Sequence, residues 1–175
     1  VFVPCDQYQA KAIVKAVADI DGPCYVRLGR GAVEDVYDEN YKFELGKGKV
    51  LREGQKIALV ATGMMVQEAL KAADILSKED ISVTVVDMPC IKPIDEELIE
   101  KIAKSHELII TCEEHNVHGG LGSAVSEVTS KKSPVRMEVM GMQDTFGESG
   151  TPNELLAKYG LNADHIVEKV KNEYR

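Results

Sequence analysis

The stretch LIITCEEHNVHGGLGSAVSEV, residues 108–128, decides the fold of this 175-residue chain. Its first residues, 108–110, form an apolar run that predicts a short buried strand. Two glutamates and a polar loop with two histidines follow, and then comes the glycine turn GGLG. Apolar residues recur at helical spacing from Leu121 to Val128. This order of strand, glycine turn and helix is typical of an open α/β sheet, at the edge where such sheets meet a ligand or a partner.

The same order of elements repeats through the chain after Gly54. Residues 57–61 are apolar throughout, as expected of a strand that is covered on both faces. Further strands are predicted at 81–86, 108–111 and 135–139, each separated from the next by a helical pattern. Strands that alternate with helices indicate crossover connections. The sequence therefore predicts a three-layer α/β fold, an open and mostly parallel sheet with helices on both faces.

The helices of this part carry start signals. Asp95 is predicted to cap the helix that follows Lys92-Pro93. Thr151 precedes a proline at the first helical position and Glu154 at the third, which is the pattern of a capping box. Gly160 ends that helix, and a last helix is predicted to begin at Asn162 or Asp164.

The first thirty residues predict a separate small unit. Residues 1–3 are predicted to end a strand, and Asp6 to cap a helix, with Gln9 three residues later as in a weak capping box. Residues 25–28 are predicted to form a short strand that leads into Gly29-Arg30-Gly31. The chain opens on Val-Phe-Val-Pro, inside a strand pattern, so we expect it to be a piece of a longer polypeptide.

Residues 32–53 differ in composition from what lies on either side. Acidic residues come first, and glycines alternate with lysines at 46–49. This composition predicts a linker that ends in a hairpin with residues 41–45 and 49–52 as its arms. A domain boundary is expected near residue 40.

Charge and cysteine content exclude several classes of protein. Asp and Glu number 29 against 21 Lys and Arg, and a net charge of −8 argues against a nucleic-acid or membrane-surface role. No apolar run approaches the roughly 20 residues of a membrane span, and no secretory leader pattern is present. The four cysteines lie far apart without a C-x-x-C pair, so neither a zinc site nor a redox motif is indicated. Reduced thiols and a cytoplasmic location are expected.

The loop 113–122 is the first candidate site. Free N–H groups at a helix start can hold an anion, but GGLG lacks the spacing of the dinucleotide fingerprint. Glu113, Glu114, His115 and His118 suggest a metal site, yet a third ligand at a suitable spacing is missing. Solvated or interface polar residues are the favoured interpretation of this loop.

Arg27 and Arg30 form the second candidate site. An arginine beside two glycines after a strand lies at the carboxyl edge of the sheet, and its guanidinium group suits phosphate or carboxylate. A surface salt bridge with Glu34 or Asp35 is the alternative, and spacing alone leaves both open.

No complete catalytic group follows from the residues themselves. Asp87, at the end of the second strand, is predicted to cap a helix or to pair with Lys92. Ser123 and Ser126 lie on a helix and lack the strained G-x-S-x-G turn of a nucleophile.

Motifs along nearly the whole chain together resemble one family. They are residues 22–30 (GPCYVRLGR), 51–54 (LREG), 61–63 (ATG), 86–88 with 91–95 (VDM and IKPID), 113–115 with 119–122 (EEH and GGLG), and 146–150 (FGESG). Their order and spacing resemble the C-terminal part of thiamine-diphosphate transketolases, in particular the C-terminal section of split bacterial and archaeal transketolases. The chain is similar, more distantly, to 1-deoxy-xylulose-5-phosphate synthase and to the beta subunit of 2-oxo-acid dehydrogenases.

The resemblance implies a division into parts and one site residue. Residues 1–31 look like the tail of a pyrimidine-binding domain, 32–53 like a linker with a hairpin, and 54–175 like a transketolase C-terminal domain. The arginine of the L-x-R turn, Arg30 here, is implied to bind the phosphate of a sugar-phosphate substrate. No catalytic, cofactor-binding or metal-binding residue is expected in the chain.

The resemblance also implies the activity of the intact enzyme. It would transfer a two-carbon ketol unit between sugar phosphates in the pentose phosphate pathway, as a homodimer that uses thiamine diphosphate and Mg²⁺. The activating glutamate and the diphosphate-binding domain would lie outside the chain, so the chain alone is expected to bind no cofactor and to be inactive, with a structural and dimer-supporting role.

Two other functions stay open at this point. The chain could be the corresponding part of a 1-deoxy-xylulose-5-phosphate synthase, or an assembly module of a dehydrogenase beta subunit that docks a carrier protein. A free-standing nucleotide-binding domain is the weakest alternative.

Overall fold

Five strands form one sheet in the computed structural model, which describes residues 1–174. The strands are β1 (Lys49–Arg52), β2 (Ile57–Ala61), β3 (Thr84–Asp87), β4 (Leu108–Asn116) and β5 (Arg136–Met142). Their order across the sheet is β1-β3-β2-β4-β5. Strands β2, β3, β4 and β5 run parallel to one another, and the edge strand β1 is antiparallel to its neighbour β3. The predicted open, mostly parallel α/β sheet is confirmed.

Helices cover both faces of this sheet. They are α2 (Met65–Ser77), α3 (Glu96–Ser105), α4 (Leu121–Lys132), α5 (Pro152–Lys158) and α6 (Ala163–Glu173), whereas α1 (Gln7–Val17) lies beside the sheet. In β2, Leu59 packs into the core beneath α2 and α6, whereas Ala58 and Val60 pack into the core beneath α3 and α4. Because successive side chains of a strand point to opposite faces, an unbroken apolar run such as β2 requires a helical layer on each side.

The start signals in the sequence correspond to observed caps. Asp95 Oδ1 accepts a hydrogen bond from the Leu98 N–H at 3.0 Å, and Asn162 accepts from the N–H of His165. Thr151 and Glu154 form the predicted capping box at the start of α5. Such caps satisfy N–H groups that have no partner within the helix.

The N-terminal residues form a small third core beside the sheet. Phe2 pairs in parallel with Val26 and antiparallel with Cys90, which joins this unit to the chain just after β3. Helix α1 begins at its predicted cap and buries Ile13 against Phe2. The side chain of Gln9 does not complete a capping box, because it accepts the N–H of Cys5 instead.

The predicted hairpin with arms 41–45 and 49–52 is wrong. Only its second arm is a strand, β1, and it pairs with β3, with Lys49 opposite Asp87. Residues 41–45 contain no strand. Phe43 instead packs edge-on against Phe2, with ring centroids 5.9 Å apart. Phe43 therefore contributes to the third core, and tertiary contacts override the local pattern.

The limits of three strands also differ from prediction. The strand predicted at residues 81–86 is observed as Thr84–Asp87. β4 continues to Asn116, well past the predicted end at Thr111, and β5 continues to Met142. Asn116 is paired with Met142, so the polar residues after Thr111 remain in the sheet. No helix in residues 1–174 combines the length and the apolar character that crossing a membrane requires.

Candidate functional site

The crevice at the carboxyl ends of β2 and β4 is the expected ligand site of this fold. The strand order reverses there, because β3 lies on one side of β2 and β4 on the other. The chain fills much of this crevice with its own N-terminal segment. The carbonyl of Val3 accepts the N–H of Gly63 at 3.2 Å, and the amide of Gln67 donates to the carbonyl of Cys5 at 2.6 Å.

Two adjoining cavities remain above the filled crevice. The edge cavity, about 550 Å³, lies between the N-terminal segment, the turn after β2 and the loop after β4. The arginine cavity, about 530 Å³, lies between the turn at residues 27–31, His115, the loop 144–150 and α5. Both volumes fall within the usual range for small-molecule sites.

Arg27 and Arg30 have different surroundings in this region. The Nη1 atom of Arg27 lies 3.7 Å from Oε2 of Glu114. Arg30 is exposed and lines the arginine cavity, and it has no hydrogen-bond or ion-pair partner among residues 1–174. Arg30 is thus the cationic side chain of this turn that is available to an anion.

The salt-bridge alternative for these arginines is wrong for both proposed acids. Glu34 lies 3.7 Å from the ammonium of Lys71. Asp35 accepts two hydrogen bonds from the side-chain amide of Gln7, at 2.9 and 3.0 Å. Neither acid binds an arginine among residues 1–174.

The GGLG loop proves to be a helix cap supplied by the preceding strand. Glu113 is buried, and its two oxygens accept the N–H groups of Leu121 and Gly122 at 2.7 and 2.8 Å. A negative charge at a helix N-terminus is favoured by the free N–H groups and by the helix dipole. The favoured interpretation of solvated or interface polar residues is therefore wrong for Glu113, whose buried carboxylate takes the place that an anionic ligand could have had.

Gly120 is required by the same contact. A Cβ atom at this position would lie 1.9 Å from Oε2 of Glu113. The spacing of the glutamate and the glycines, which resembles a ligand site in sequence, is explained by close packing of β4 against the start of α4.

The histidines of this loop do not assemble a metal site. The ring Nδ1 of His115 lies 2.8 Å from the carbonyl of Asn116, and the backbone N–H of His118 donates to the side chain of Asn116. Among residues 1–174, no three His, Cys, Asp or Glu side chains are grouped so that they could hold a metal ion. His115 lines both cavities, whereas His106 bonds to Thr84 and lies away from them.

Asp87 has partners that the sequence interpretation missed. It is fully buried, and its Oδ2 accepts hydrogen bonds from the Tyr37 hydroxyl and the Gln9 amide, both at 2.6 Å. Among residues 1–174 the carboxylate of Asp87 accepts no backbone N–H and forms no hydrogen bond or ion pair with Lys92, so both the expected helix cap and the expected pairing are wrong. Burial raises the pKa of Asp87 to about 6. The two hydrogen bonds lower this pKa, but their effect is smaller than that of burial. Burial beside Asp87 likewise raises the pKa of Tyr37.

The Asp87 cluster joins three separate parts of the chain. Gln9 belongs to α1, Tyr37 to the segment after the turn at 27–31, and Asp87 to β3. No local signal in the sequence predicts the cluster, since its members are 28 to 78 residues apart and meet only in the folded chain.

The fold and the site define the class of protein to which the chain belongs. It is a doubly wound α/β domain whose switch-point crevice is partly filled by its own N-terminal segment, with an arginine at the edge that has no partner among residues 1–174. The family described as "Transketolase, C-terminal domain" matches residues 46–166. The chain belongs to this family.

Its relatives include whole and split enzymes. A Methanocaldococcus jannaschii protein, provisionally named a transketolase C-terminal section, is 40% identical in sequence. The match covers the full length of this chain and 55% of that protein. A 6-deoxy-6-sulfo-D-fructose transketolase subunit of a Clostridium species is also 40% identical. That match covers 95% of this chain and 52% of the subunit. A 1-deoxy-D-xylulose-5-phosphate synthase of Desulforudis audaxviator is 38% identical over 98% of the chain, which covers 28% of that protein.

A solved structure shares the fold closely. It is described as "Split gene transketolase, inactive beta4 tetramer", and it matches this chain with a TM-score of 0.93 and 48% sequence identity. The match covers 98% of this chain and 56% of that one. The chain spans about half the length of the transketolase sections and subunits that it matches.

Proposed function

We propose that the chain is the C-terminal part of a transketolase that transfers a two-carbon ketol unit between sugar phosphates, and that Arg30 binds the substrate phosphate. The observation that carries the proposal is the unpaired guanidinium of Arg30 in a cavity of about 530 Å³. Relatives named as transketolase sections and subunits support it. The intact enzyme is proposed to act as a dimer.

Arg30 is better placed than Arg27 to bind a phosphate. Arg27 is already beside a carboxylate, which would compete with a bound anion, whereas Arg30 is not. A guanidinium group binds phosphate through two parallel hydrogen bonds, and charge-assisted bonds of this type are about twice as strong as neutral ones.

Thiamine diphosphate and Mg²⁺ are proposed to be held by other parts of the enzyme. The described residues do not fit these groups, because residues 1–174 offer no cluster of three metal-ligating side chains. The N–H groups at the start of α4, which could otherwise bind a diphosphate, are occupied by Glu113. The role proposed for this chain is to bind the substrate phosphate and to support the rest of the enzyme.

The test is a kinetic comparison in the enzyme reconstituted with its missing sections. Arg30→Gln is expected to raise the KM for a phosphorylated acceptor roughly 10- to 100-fold, which corresponds to the loss of a charged hydrogen bond. The KM for the same acceptor without phosphate should not change. Arg52→Gln is the matched control, because Arg52 lies on the edge strand β1 and pairs with Asp74.

Two results would contradict the proposal. One is equal loss of activity with both acceptors, since a phosphate contact cannot act on a substrate that lacks the phosphate. The other is ketol transfer by the 175-residue chain alone, which would contradict its proposed dependence on other sections.

A 1-deoxy-D-xylulose-5-phosphate synthase is the second candidate. Relatives with that name match at 38% identity over nearly the whole chain. Formation of deoxyxylulose phosphate rather than ketol transfer by the reconstituted enzyme would favour it. A dehydrogenase assembly module is disfavoured, because a substrate without phosphate has no use for Arg30.

A further inference from the structure

His115 lies where the edge cavity and the arginine cavity meet. It is the last residue but one of β4, and it lines both cavities. Among residues 1–174, it is also the one histidine that lines either of them. Its side chain is 48% exposed. A molecule in either cavity can therefore reach the imidazole ring.

One nitrogen of this ring is engaged, and the other is free. Nδ1 lies 2.8 Å from the backbone carbonyl of Asn116. Because a carbonyl oxygen can only accept a hydrogen bond, Nδ1 carries a proton and is the donor. The lone pair of the neutral ring is then on Nε2, for which residues 1–174 provide no hydrogen-bond or ion-pair partner. His115 thus presents a hydrogen-bond acceptor to the cavities.

The charged groups that line the arginine cavity are paired, apart from Arg30. Nη1 of Arg27 lies 3.7 Å from Oε2 of Glu114, and Glu148 pairs with a lysine of α5 at 2.7 Å. Oε2 of Glu113 lies 3.9 Å from Nδ1 of the histidine ring, but both oxygens of this carboxylate already accept N–H groups at the start of α4. Arg30 has no partner among residues 1–174. The cavity thus combines one unpaired positive charge with one unpaired ring nitrogen.

These two groups together select a class of ligand. A guanidinium group binds a phosphate, and a nitrogen lone pair needs a donor such as a hydroxyl. A carbonyl oxygen has no proton to donate, so it cannot satisfy Nε2. A phosphate ester with a hydroxyl near the phosphate satisfies both groups, and a cavity of about 530 Å³ is large enough for such a molecule.

We propose that His115 is a second substrate-binding residue, whose Nε2 accepts a hydrogen bond from the hydroxyl on the carbon next to the phosphate-bearing carbon. The inference rests on the proposed function, because it takes the phosphate to be bound by Arg30. The hydroxyl is the one next to the phosphate because Arg30 and His115 line the same cavity. His115 therefore selects hydroxylated sugar phosphates over their deoxy analogues, whereas Arg30 binds both alike.

The test measures the binding of two small phosphate esters to the enzyme reconstituted with its missing sections. Propane-1,2-diol 1-phosphate carries one hydroxyl, next to the phosphate-bearing carbon, and propyl phosphate is the same molecule without it. The diol phosphate is expected to bind about 2- to 10-fold more tightly by calorimetry, which is the net effect of one neutral hydrogen bond. His115→Phe should abolish this preference, because phenylalanine keeps a planar ring but has no acceptor.

Two further variants control for effects on the structure. His118→Phe is the matched control, because His118 is an exposed histidine of the same loop and lines neither of the two cavities. It should keep the full preference. His115→Gln should keep part of the preference, since a side-chain amide has an N–H for the carbonyl of Asn116 and an oxygen for the hydroxyl.

A preference that persists in His115→Phe, or that is absent from the unchanged enzyme, would overturn the inference. Equal weakening of both esters by His115→Phe would overturn it as well, since the ring would then act on the phosphate or on the fold. Arg30→Gln separates these outcomes from the proposed function, because it should weaken both esters. Full binding of both esters by Arg30→Gln would contradict the phosphate site itself, whereas binding that depends on Arg30 but shows no preference contradicts only the role of His115.

Discussion

At the scale of single residues, the contacts that matter most are made by backbone and buried groups. Gly120 illustrates this point. Its φ of −98° is open to any residue, so conformation does not require glycine there. What requires it is the carboxylate of Glu113, which occupies the space that a side chain would need. A pattern of glycines in a sequence does not distinguish a ligand site from such close packing.

Replacing Gly120 by alanine should destabilise the chain. A Cβ atom 1.9 Å from a carboxylate oxygen cannot be accommodated unless Glu113 moves off the helix cap. Overpacking of this kind costs about 1–3 kcal/mol in free energy of unfolding, measured by denaturant titration. Gly147→Ala is the control, because a Cβ atom there meets nothing within 4 Å, and it should change stability by less than about 0.5 kcal/mol. Equal stability of the two variants would contradict the packing argument.

At the scale of elements, the strand-to-helix connection β4–α4 is organised by one carboxylate. Glu113 extends from β4 to the first N–H groups of α4, so the strand itself supplies the cap that the loop residues do not. Strand β4 continues to Asn116, which pairs with Met142 of β5. The side chain of Asn116 also accepts the N–H of His118, so this donor of the loop is already engaged.

Glu113→Gln should weaken helix α4. The amide retains one acceptor oxygen but brings an NH₂ group against a backbone N–H, and it removes the charge that the helix start favours. A loss of about 1–3 kcal/mol in the free energy of unfolding is expected, with faster amide exchange in the first turn of α4. Glu114→Gln is the matched control, because Glu114 is 41% exposed and does not cap the helix. An unchanged first turn in Glu113→Gln would show that the cap does not depend on the carboxylate.

At the scale of the whole molecule, a buried cluster ties the N-terminal unit to the sheet. Asp87 accepts hydrogen bonds from α1 and from the segment before β1, and Asp6 accepts the N–H groups of Val36 and Tyr37 at 2.9 and 2.7 Å. These contacts hold the segment that carries Arg30 against the C-terminal sheet. They connect parts of the chain that the sequence presents as separate units.

The stability of the whole chain should depend on pH through Asp87. Its pKa is raised from 3.8 to about 6 in the folded chain, so the folded chain binds more protons than the unfolded chain between these values. The free energy of unfolding is therefore expected to fall as pH rises from about 4 to 6 and to level off above. The charged groups that face Asp87 are Asp6, which raises the pKa, and Lys49, which lowers it.

The size of this effect follows from the shift in pKa. A shift of this size corresponds to about 3 kcal/mol. Asp87→Asn should flatten this part of the pH profile, measured by denaturant titration at each pH. Asp74→Asn should leave it intact, because the side chain of Asp74 is 73% exposed. A profile unchanged by Asp87→Asn would assign the titration to another group.

The sequence by itself determined the α/β class, the run of parallel strands from β2 onward and the caps at Asp95 and Thr151, and it narrowed the cap of the last helix to Asn162 or Asp164. These follow from periodicity and from bonds to residues at most three positions away. Only the tertiary structure decided that Phe43 joins the third core, that Glu113 caps α4 and that Asp87 binds Tyr37 and Gln9. It also decided that Arg27 has a partner, whereas Arg30 has none among residues 1–174. Each of these depends on which distant side chains meet, and burial and close packing decide that only when the whole chain has folded.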